Sequence, residues 1–589
     1  MKNQSAELYL QGTPICRGIA IGNLIVLHRQ EQHISEQSLP IEKVDAEIRR
    51  FRQAISKGKD EIHALKQRLQ KDRIVEGVAI LDSHLQIMDD PMITTDVEER
   101  IRALQKNAEF VFKSVVTECQ KQFELLPDPY FRERFKDIEE IGRRISHHLI
   151  FTHKTPLHQL PPDSIVLATD LNVFDTAEID KTLACAFITQ HGSAASHAAI
   201  VAKGKGIPYV SGINLEQVQS PHGGAVIVDG RTGQIIVNPT EDTLKKYKEM
   251  KEGLHDHYRT LTNRGGLQSE TFDGYRVQLS ANIDLLREVE GLNQFRGHGI
   301  GLLRTESAFA SGAPLPSEEE QYALYSKFVD KLGSLPIVFR TFDIGGDKQF
   351  RHAQQVAESN PFLGYRAIRL MLREREFFKA QLRAILRTSH QGNIRILFPM
   401  ISSVAELLEA KEILEEVKAE LRSQQIPLAP HIPVGCMVEV PSAAMTADLL
   451  AKECDFLSIG TNDLVQYTLA VDRTHTFLNH LYTPAHPAVV RLIRYVVSEA
   501  NRAHVPVCIC GEIAADPRYT PLLLGLGIQE LSIAPRHLPT IKNAIRKTSI
   551  VGATRLAEAV LKLSSAAEIE QFLTNEYQRL APEDGLYNH

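Results

Sequence analysis

His197 stands in the stretch Gly192-Ser-Ala-Ala-Ser-His-Ala-Ala-Ile-Val-Ala-Lys203. An apolar run over 184–188 precedes it and reads as a buried strand. Gly192 and Ser193 read as a turn, and 194–203 as a short helix closed by Gly204 and Gly206. This puts the imidazole in the first turns of a helix, near free backbone N–H groups and the positive end of the dipole, where an anion is favoured. A histidine held there can accept a phosphoryl group, although a lone histidine is more often structural. A second set of reactive types lies further along. Arg304, Arg340 and Arg473 are permanently charged and suit a substrate carrying both a carboxylate and a phosphate. Glu439 and Asp463 offer hard oxygen ligands of the kind Mg²⁺ takes while keeping waters and binding substrate.

The elements that must position this second set read as a barrel. From residue 270 onward, eight apolar runs alternate with helix-length sequence: 277–283, 300–305, 337–342, 394–400, 434–440, 456–459, 505–510 and 531–534. That alternation predicts a (β/α)₈ barrel, with its chemistry on the loops that follow the strands. Polar residues stand at those places: Asn282; Arg304 and Glu306; Arg340, Asp343 and Lys348; Glu439; Asn462 and Asp463; Cys510 and Glu512. One charge after one strand is ordinary loop. Polar groups after six of eight strands converge on one mouth.

The first 240 residues read differently. An apolar segment over 18–27 follows a turn at Pro14 and Gly18 and predicts a strand. From Ile41 the period changes: Ile41, Val44, Ile48, Phe51, Ile55, Ile62, Leu65 and Leu69 form one stripe of a long amphipathic helix. Val78, Leu81, Leu85 and Met88 repeat it, and further helices follow up to residue 150. We read 33–147 as a helical domain inserted into an α/β domain made of 1–32 and 148–239. Short strands resume over 165–168, 184–188, 209–212 and 225–228, and Asp229-Gly-Arg-Thr-Gly233 reads as a hairpin turn. Residues 240–266 are charged and helical in character and read as a linker, leaving 267–589 for the barrel.

Composition sets the outer limits. A net charge of −6 argues against nucleic acid as a main partner, and no apolar run is long enough for a membrane span. Seven scattered cysteines, with no signal-peptide-like start, point to reduced thiols and the cytoplasm.

The histidine stretch, followed by Gly206-Ile-Pro-Tyr-Val210, resembles the phosphohistidine motif of the phosphoenolpyruvate-using enzymes. It departs from the usual pattern at His191 and Ala195, but His197 and Ser196 keep their places. Gly299-Ile-Gly-Leu-Leu-Arg-Thr-Glu306, Arg340-Thr-Phe-Asp-Ile-Gly-Gly-Asp-Lys348, Met437-Val-Glu-Val-Pro441, Ser458-Ile-Gly-Thr-Asn-Asp-Leu464 and Cys510-Gly-Glu512 are similar to motifs of the Enzyme I branch. Residues 307–312 depart from that branch. The resemblance runs through nearly the whole chain and implies a phosphotransferase with a phosphohistidine intermediate. It makes His197 the phosphoryl acceptor. It makes Arg304, Arg340, Arg366, Asn462 and Arg473, with Asp463 and Lys348, the phosphoenolpyruvate site. Glu439 and Asp463 become the Mg²⁺ ligands. Cys510, otherwise readable as a small buried hydrophobe, becomes the proton donor to the enolate carbon. It further implies docking of the carrier protein HPr on the helical insert, around 79–91, and a homodimer joined through the barrel. The other reading is a non-catalytic protein that senses phosphoenolpyruvate or docks HPr. The related dikinases and synthases need a large nucleotide-binding domain, and the helical insert has no glycine-rich phosphate loop.

Overall fold

The computed structural model describes residues 7–27, 35–71, 75–124, 129–150, 160–179, 183–192, 196–218, 224–309, 315–345, 360, 363–473 and 478–582. The chain divides into two compact units, Met1–Gly253 and Leu254–Asn588. Among the described residues no helix is long and apolar enough to cross a membrane.

The first unit holds an eight-stranded sheet: β1 (Leu8–Gln11), β2 (Thr13–Cys16), β3 (Ile19–Val26), β4 (Ser164–Ala168), β5 (Ala184–Thr189), β6 (Tyr209–Ser211), β7 (Ala225–Asp229) and β8 (Gln234–Val237). Its order is β1-β8-β7-β3-β4-β5-β6-β2. β3, β4, β5 and β6 run parallel, and β7 and β8 form the antiparallel hairpin expected around Asp229–Gly233. The turn expected at Pro14 is instead part of β2. The strand tolerates proline because it is a sheet edge, paired on one side only, with β6.

Among the described residues five helices separate β3 from β4: α1 (Ile41–Lys71), α2 (Val75–Met88), α3 (Thr95–Leu104), α4 (Ala108–Glu124) and α5 (Pro129–Ile150). The α1 stripe is buried from Val44 to Leu69; Ile41, at the first turn, is 74% exposed. Phe51 and Phe112 anchor the helical core with ring centroids 5.7 Å apart, a pair worth about 0.5–1.5 kcal/mol beyond area burial. The same core takes in Phe174 and Ala177 of α6 (Val173–Glu178) and Val201 of α7 (His197–Lys205), so insert and sheet domain share apolar contacts. At that seam the His84 ring lies 5.2 Å from Phe174, and Arg144 sits 3.9 Å over the same ring. Glu140 of α5 is buried there, and its Oε1 has no hydrogen-bond partner among the described residues. Burial, with the negative charge of Asp175 adding to it, pushes its carboxyl up to about 8. The charged segment after β8 is one continuous helix, α8 (Glu241–Arg264).

The second unit is a closed barrel of eight strands, each parallel to the next: β9 (Gln278–Ile283), β10 (Ile300–Arg304), β11 (Ile337–Arg340), β12 (Ile394–Phe398), β13 (Val434–Val438), β14 (Phe456–Ile459), β15 (Val507–Ile509) and β16 (Glu530–Ile533). β16 returns to pair with β9 and closes the ring. Seven strands lie within the apolar runs expected from the sequence, and β16 is offset by one residue. Leu302, Val338, Leu397, Met437, Phe456 and Cys510 form a separate apolar cluster contributed by six successive strands or their ends. Serines share this space. Ser280 donates to Glu530 at 2.6 Å and Ser532 to Asn282 Oδ1 at 2.7 Å. Gly301 gives them room, because a Cβ there would stand 2.5 Å from Ser532 Oγ.

Candidate active site

The ends of the barrel strands gather the expected side chains. Arg340 is the last residue of β11 and is buried. It pairs through Nη2 with Glu306, and its Nη1 lies 3.3 Å from Asp343 Oδ2. Arg366 is also buried and donates to both oxygens of Asp343, at 2.8 and 3.0 Å. Its Nη1 lies 3.3 Å from Asp463 Oδ1 and donates to the Tyr467 hydroxyl at 3.1 Å. Burial works against the charge of Arg366, but Asp343 and Asp463 outweigh it and raise its pKa, so the side chain stays a cation. Arg304, at the end of β10, is half-buried and 3.5 Å from Asp284.

Glu439 follows β13 directly and is 1% exposed, with Oε1 accepting from the Met400 amide at 2.7 Å. Asp463 lies in the first turn of helix Thr461–Leu469, which begins where β14 ends. Gly460 joins the two. A Cβ at 460 would stand 2.6 Å from Glu439 Oε2, so the chain approaches that carboxylate more closely than any side chain permits. Asn462 Oδ1 accepts from the Glu512 amide at 2.9 Å and ties the loop after β14 to the loop after β15. The Arg473 amide is held by Gln466 at 3.2 Å, and its side chain bonds the Tyr482 hydroxyl. Cys510 follows β15 and is buried, with Asn282 donating to its carbonyl at 2.9 Å.

A metal fits this donor set. Burial first, then the nearby Asp463 and Asp343, holds the Glu439 carboxyl well above the usual carboxylate range, against the pull of Arg340 and Arg366. Among the described residues the buried carboxylates Glu306, Asp343, Glu439 and Asp463 outnumber the buried guanidinium groups of Arg340 and Arg366, so a cation would relieve their repulsion. Among the described residues no three His, Cys, Asp or Glu form a closed metal cage. Glu439 and Asp463 are hard oxygen donors of the kind that would suit a divalent cation completing its shell with water and substrate.

In the first unit, His197 is the opening residue of α7, later than the expected start at 194. The Ser196 hydroxyl sets that start by accepting from the Ala199 amide at 3.2 Å. Gly206, at φ +62°, ends the helix, and Gly204 is an ordinary helical residue. Residues 193–195, the His197 side chain and Lys348 lie outside what is described. The sequence marked Asp343 and Glu306 as mouth residues but not as the partners that hold Arg340 and Arg366. Tyr467 it passed over, and the signal was available: it stands four residues after Asp463 on one helix, and so on the same face.

Three family models cover the chain: the N-terminal domain of phosphoenolpyruvate-utilising enzymes over 11–134, their mobile domain over 160–233, and their phosphoenolpyruvate-binding domain over 259–550. The chain belongs to this family of phosphoenolpyruvate-utilising enzymes. It is similar to proteins named phosphoenolpyruvate-protein phosphotransferase. Those of Bacillus sp. (strain S) and Geobacillus stearothermophilus are each 36% identical over 580 residues, covering 98% of this chain and 100% of theirs. That of Haemophilus influenzae is 36% identical over 556 residues, covering 94% of this chain and 97% of its own.

Proposed function

We propose that this chain moves phosphate from phosphoenolpyruvate to His197 and then to a histidine of the carrier protein HPr, leaving pyruvate. The observation that carries this reading is the meeting of two buried guanidinium groups, Arg340 and Arg366, with two carboxylates, Glu439 and Asp463, at one barrel mouth. Arg304, Arg340, Arg366 and Arg473, with Asn462 and Lys348, bind the substrate carboxylate and phosphate. Charged groups already fixed by Asp343 and Glu306 need little reorganisation as charge develops. Glu439 and Asp463 are the residues that would hold a Mg²⁺, whose charge would polarise the phosphoryl group and offset that of the enolate. Cys510 gives its thiol proton to the enolate carbon. Ser196, by capping α7, leaves His197 at a helix start where a phosphoryl charge is favoured.

His197 has to serve the barrel mouth and HPr in turn, and we take residues 240–266 as the joint and the insert 33–147 as the HPr face. Exposed Leu363, Leu408, Met445 and Leu449 on the barrel support pairing of two copies there. Seven cysteines scattered along the chain support the cytoplasm. The test is incubation with labelled phosphoenolpyruvate, Mg²⁺ and HPr. Wild type passes acid-labile label to HPr. The His197→Ala variant takes none while still binding phosphoenolpyruvate. Label on that variant, or none on wild type, overturns the reading.

A further inference from the structure

Cys508 and Cys510 flank Ile509 at the end of β15, and the reaction above uses only the second. Side chains two apart on a strand share a face. Val507 and Ile509 join the main apolar core of the second unit, so Cys508 points the other way, to the face on which Cys510 joins the separate cluster inside the barrel. Both are buried thiols. Cys508 stands opposite Ser458 in the register of β14 against β15. The Ser458 hydroxyl lies 3.4 Å from Cys510 Sγ and also bonds the Cys508 side chain. One hydroxyl touching both sulfurs places them side by side. The strand ladder continues through Cys510, whose amide donates to Ile459 at 3.1 Å. Two residues of strand set Cα atoms about 6.5 Å apart, inside the window of about 4.4–6.8 Å that a disulfide spans. A single buried cysteine is a small hydrophobe. A second thiol beside a reactive one captures its oxidised form.

We propose that Cys508 is a resolving thiol for Cys510, and that hydrogen peroxide converts the pair into a disulfide that stops turnover until a thiol reductant restores it. This rests on the reading of Cys510 as proton donor given above. Burial pushes both thiols above the usual range, so the resting pair is protonated and slow to react. Proton delivery to the enolate leaves Cys510 as a thiolate. That thiolate attacks one oxygen of the peroxide and the O–O bond breaks. Cys510 becomes a sulfenic acid, and the hydroxide released takes a proton from solvent. The Cys508 sulfur then attacks the Cys510 sulfur, the S–O bond breaks, and hydroxide leaves as water with the Cys508 proton. Two cysteines have lost two electrons, and the peroxide has become two waters. Cys510 held in the bridge has no proton to give. A bridge near the long end of the window is strained and easily reduced. It also keeps Cys510 from the sulfinic acid, which dithiothreitol does not reverse.

The test treats the full chain with hydrogen peroxide during turnover of phosphoenolpyruvate, then quenches with iodoacetamide and digests with trypsin. The fragment 503–518 carries both cysteines and is weighed. Wild type should lose turnover, yield that fragment unalkylated and about 2 Da lighter than the dithiol, and regain turnover in dithiothreitol. Cys508→Ala should match wild type before oxidation. After it, the variant should lose turnover beyond rescue, with about 32 Da of oxygen added at Cys510. Cys508→Ser should behave as Cys508→Ala does, which separates loss of the thiol from loss of volume. Inactivated wild type without the mass loss in 503–518 overturns the proposal, as does a Cys508→Ala variant that dithiothreitol restores as fully as wild type. Untreated wild type that makes no pyruvate, or untreated Cys510→Ala that makes as much as wild type, overturns the parent reading instead, and the mass of 503–518 still decides whether the bridge forms.

Discussion

Asp343 holds two guanidinium groups at once, meeting Arg366 through both its oxygens at 2.8 and 3.0 Å and Arg340 at 3.3 Å. Both arginines are buried, so neither can turn to water if the carboxylate is lost. Removing one partner of a buried ion pair costs about 3–5 kcal/mol. Asp343→Asn should lower the stability of the barrel by that order in urea titrations, and weaken phosphoenolpyruvate binding as well. A variant as stable as wild type would show that Glu306 and Asp463 suffice to hold the arginines.

The metal site has its own signature in stability. Mg²⁺ that binds only the folded chain raises its melting temperature by mass action. Wild type should show a rise with Mg²⁺ concentration, and Glu439→Gln and Asp463→Ala should flatten it and abolish Mg²⁺-dependent turnover while the barrel still folds. Unchanged Mg²⁺ dependence in both variants would move the ligands elsewhere.

Gly460 gives a purely steric test. Its backbone, at φ −86°, suits alanine, but the added methyl would stand 2.6 Å from Glu439 Oε2. Gly460→Ala should displace that carboxylate and lower kcat about 100-fold, as ångström-scale misplacement does, with the far-ultraviolet spectrum unchanged. Full activity in this variant would mean that Glu439 has room to move.

Glu140 makes the first unit sensitive to pH. Its carboxyl titrates at about 8 in the folded chain against 4.5 for the ordinary group. The folded form therefore holds a proton that the unfolded form has released, so stability falls as pH rises from 4.5 to about 8 and is level above that. The difference amounts to about 4–5 kcal/mol on the scale of 1.36 kcal/mol per unit. Glu140→Gln should abolish the slope and raise stability at pH 8, measured by denaturant titration across pH 5–9. An equal slope in wild type and variant would place the pH sensitivity on other groups.

The barrel was legible because its strands are parallel and covered on both faces, so each reads as an unbroken apolar run. β1 and β2 were not. They are four-residue edge strands, β1 largely exposed and β2 half so, with Pro14 in the second, and nothing local distinguishes them from loop. At the mouth, the residue types were legible from their place after each strand, but their pairing was not. That Asp343 serves two arginines depends on residue 366, 23 positions further along the chain, coming back to the end of β11. The contact of Ser458 with Cys510 depends on the register of β14 against β15, where Ser458 stands opposite Cys508, and no spacing within one segment reports register.

Gly301, Ser532 and Asn282 stand on three different strands and form one chain of contacts, the glycine making room for the serine and the serine holding the amide that fixes the Cys510 carbonyl. A side chain can appear at 301 only after 532 has shrunk, and shrinking 532 first releases Asn282. Each single step thus passes through a damaged enzyme. Positions 282, 301 and 532 should therefore change together or stay fixed together among descendants of this gene, a linkage of substitutions that pairwise sequence comparison can look for directly.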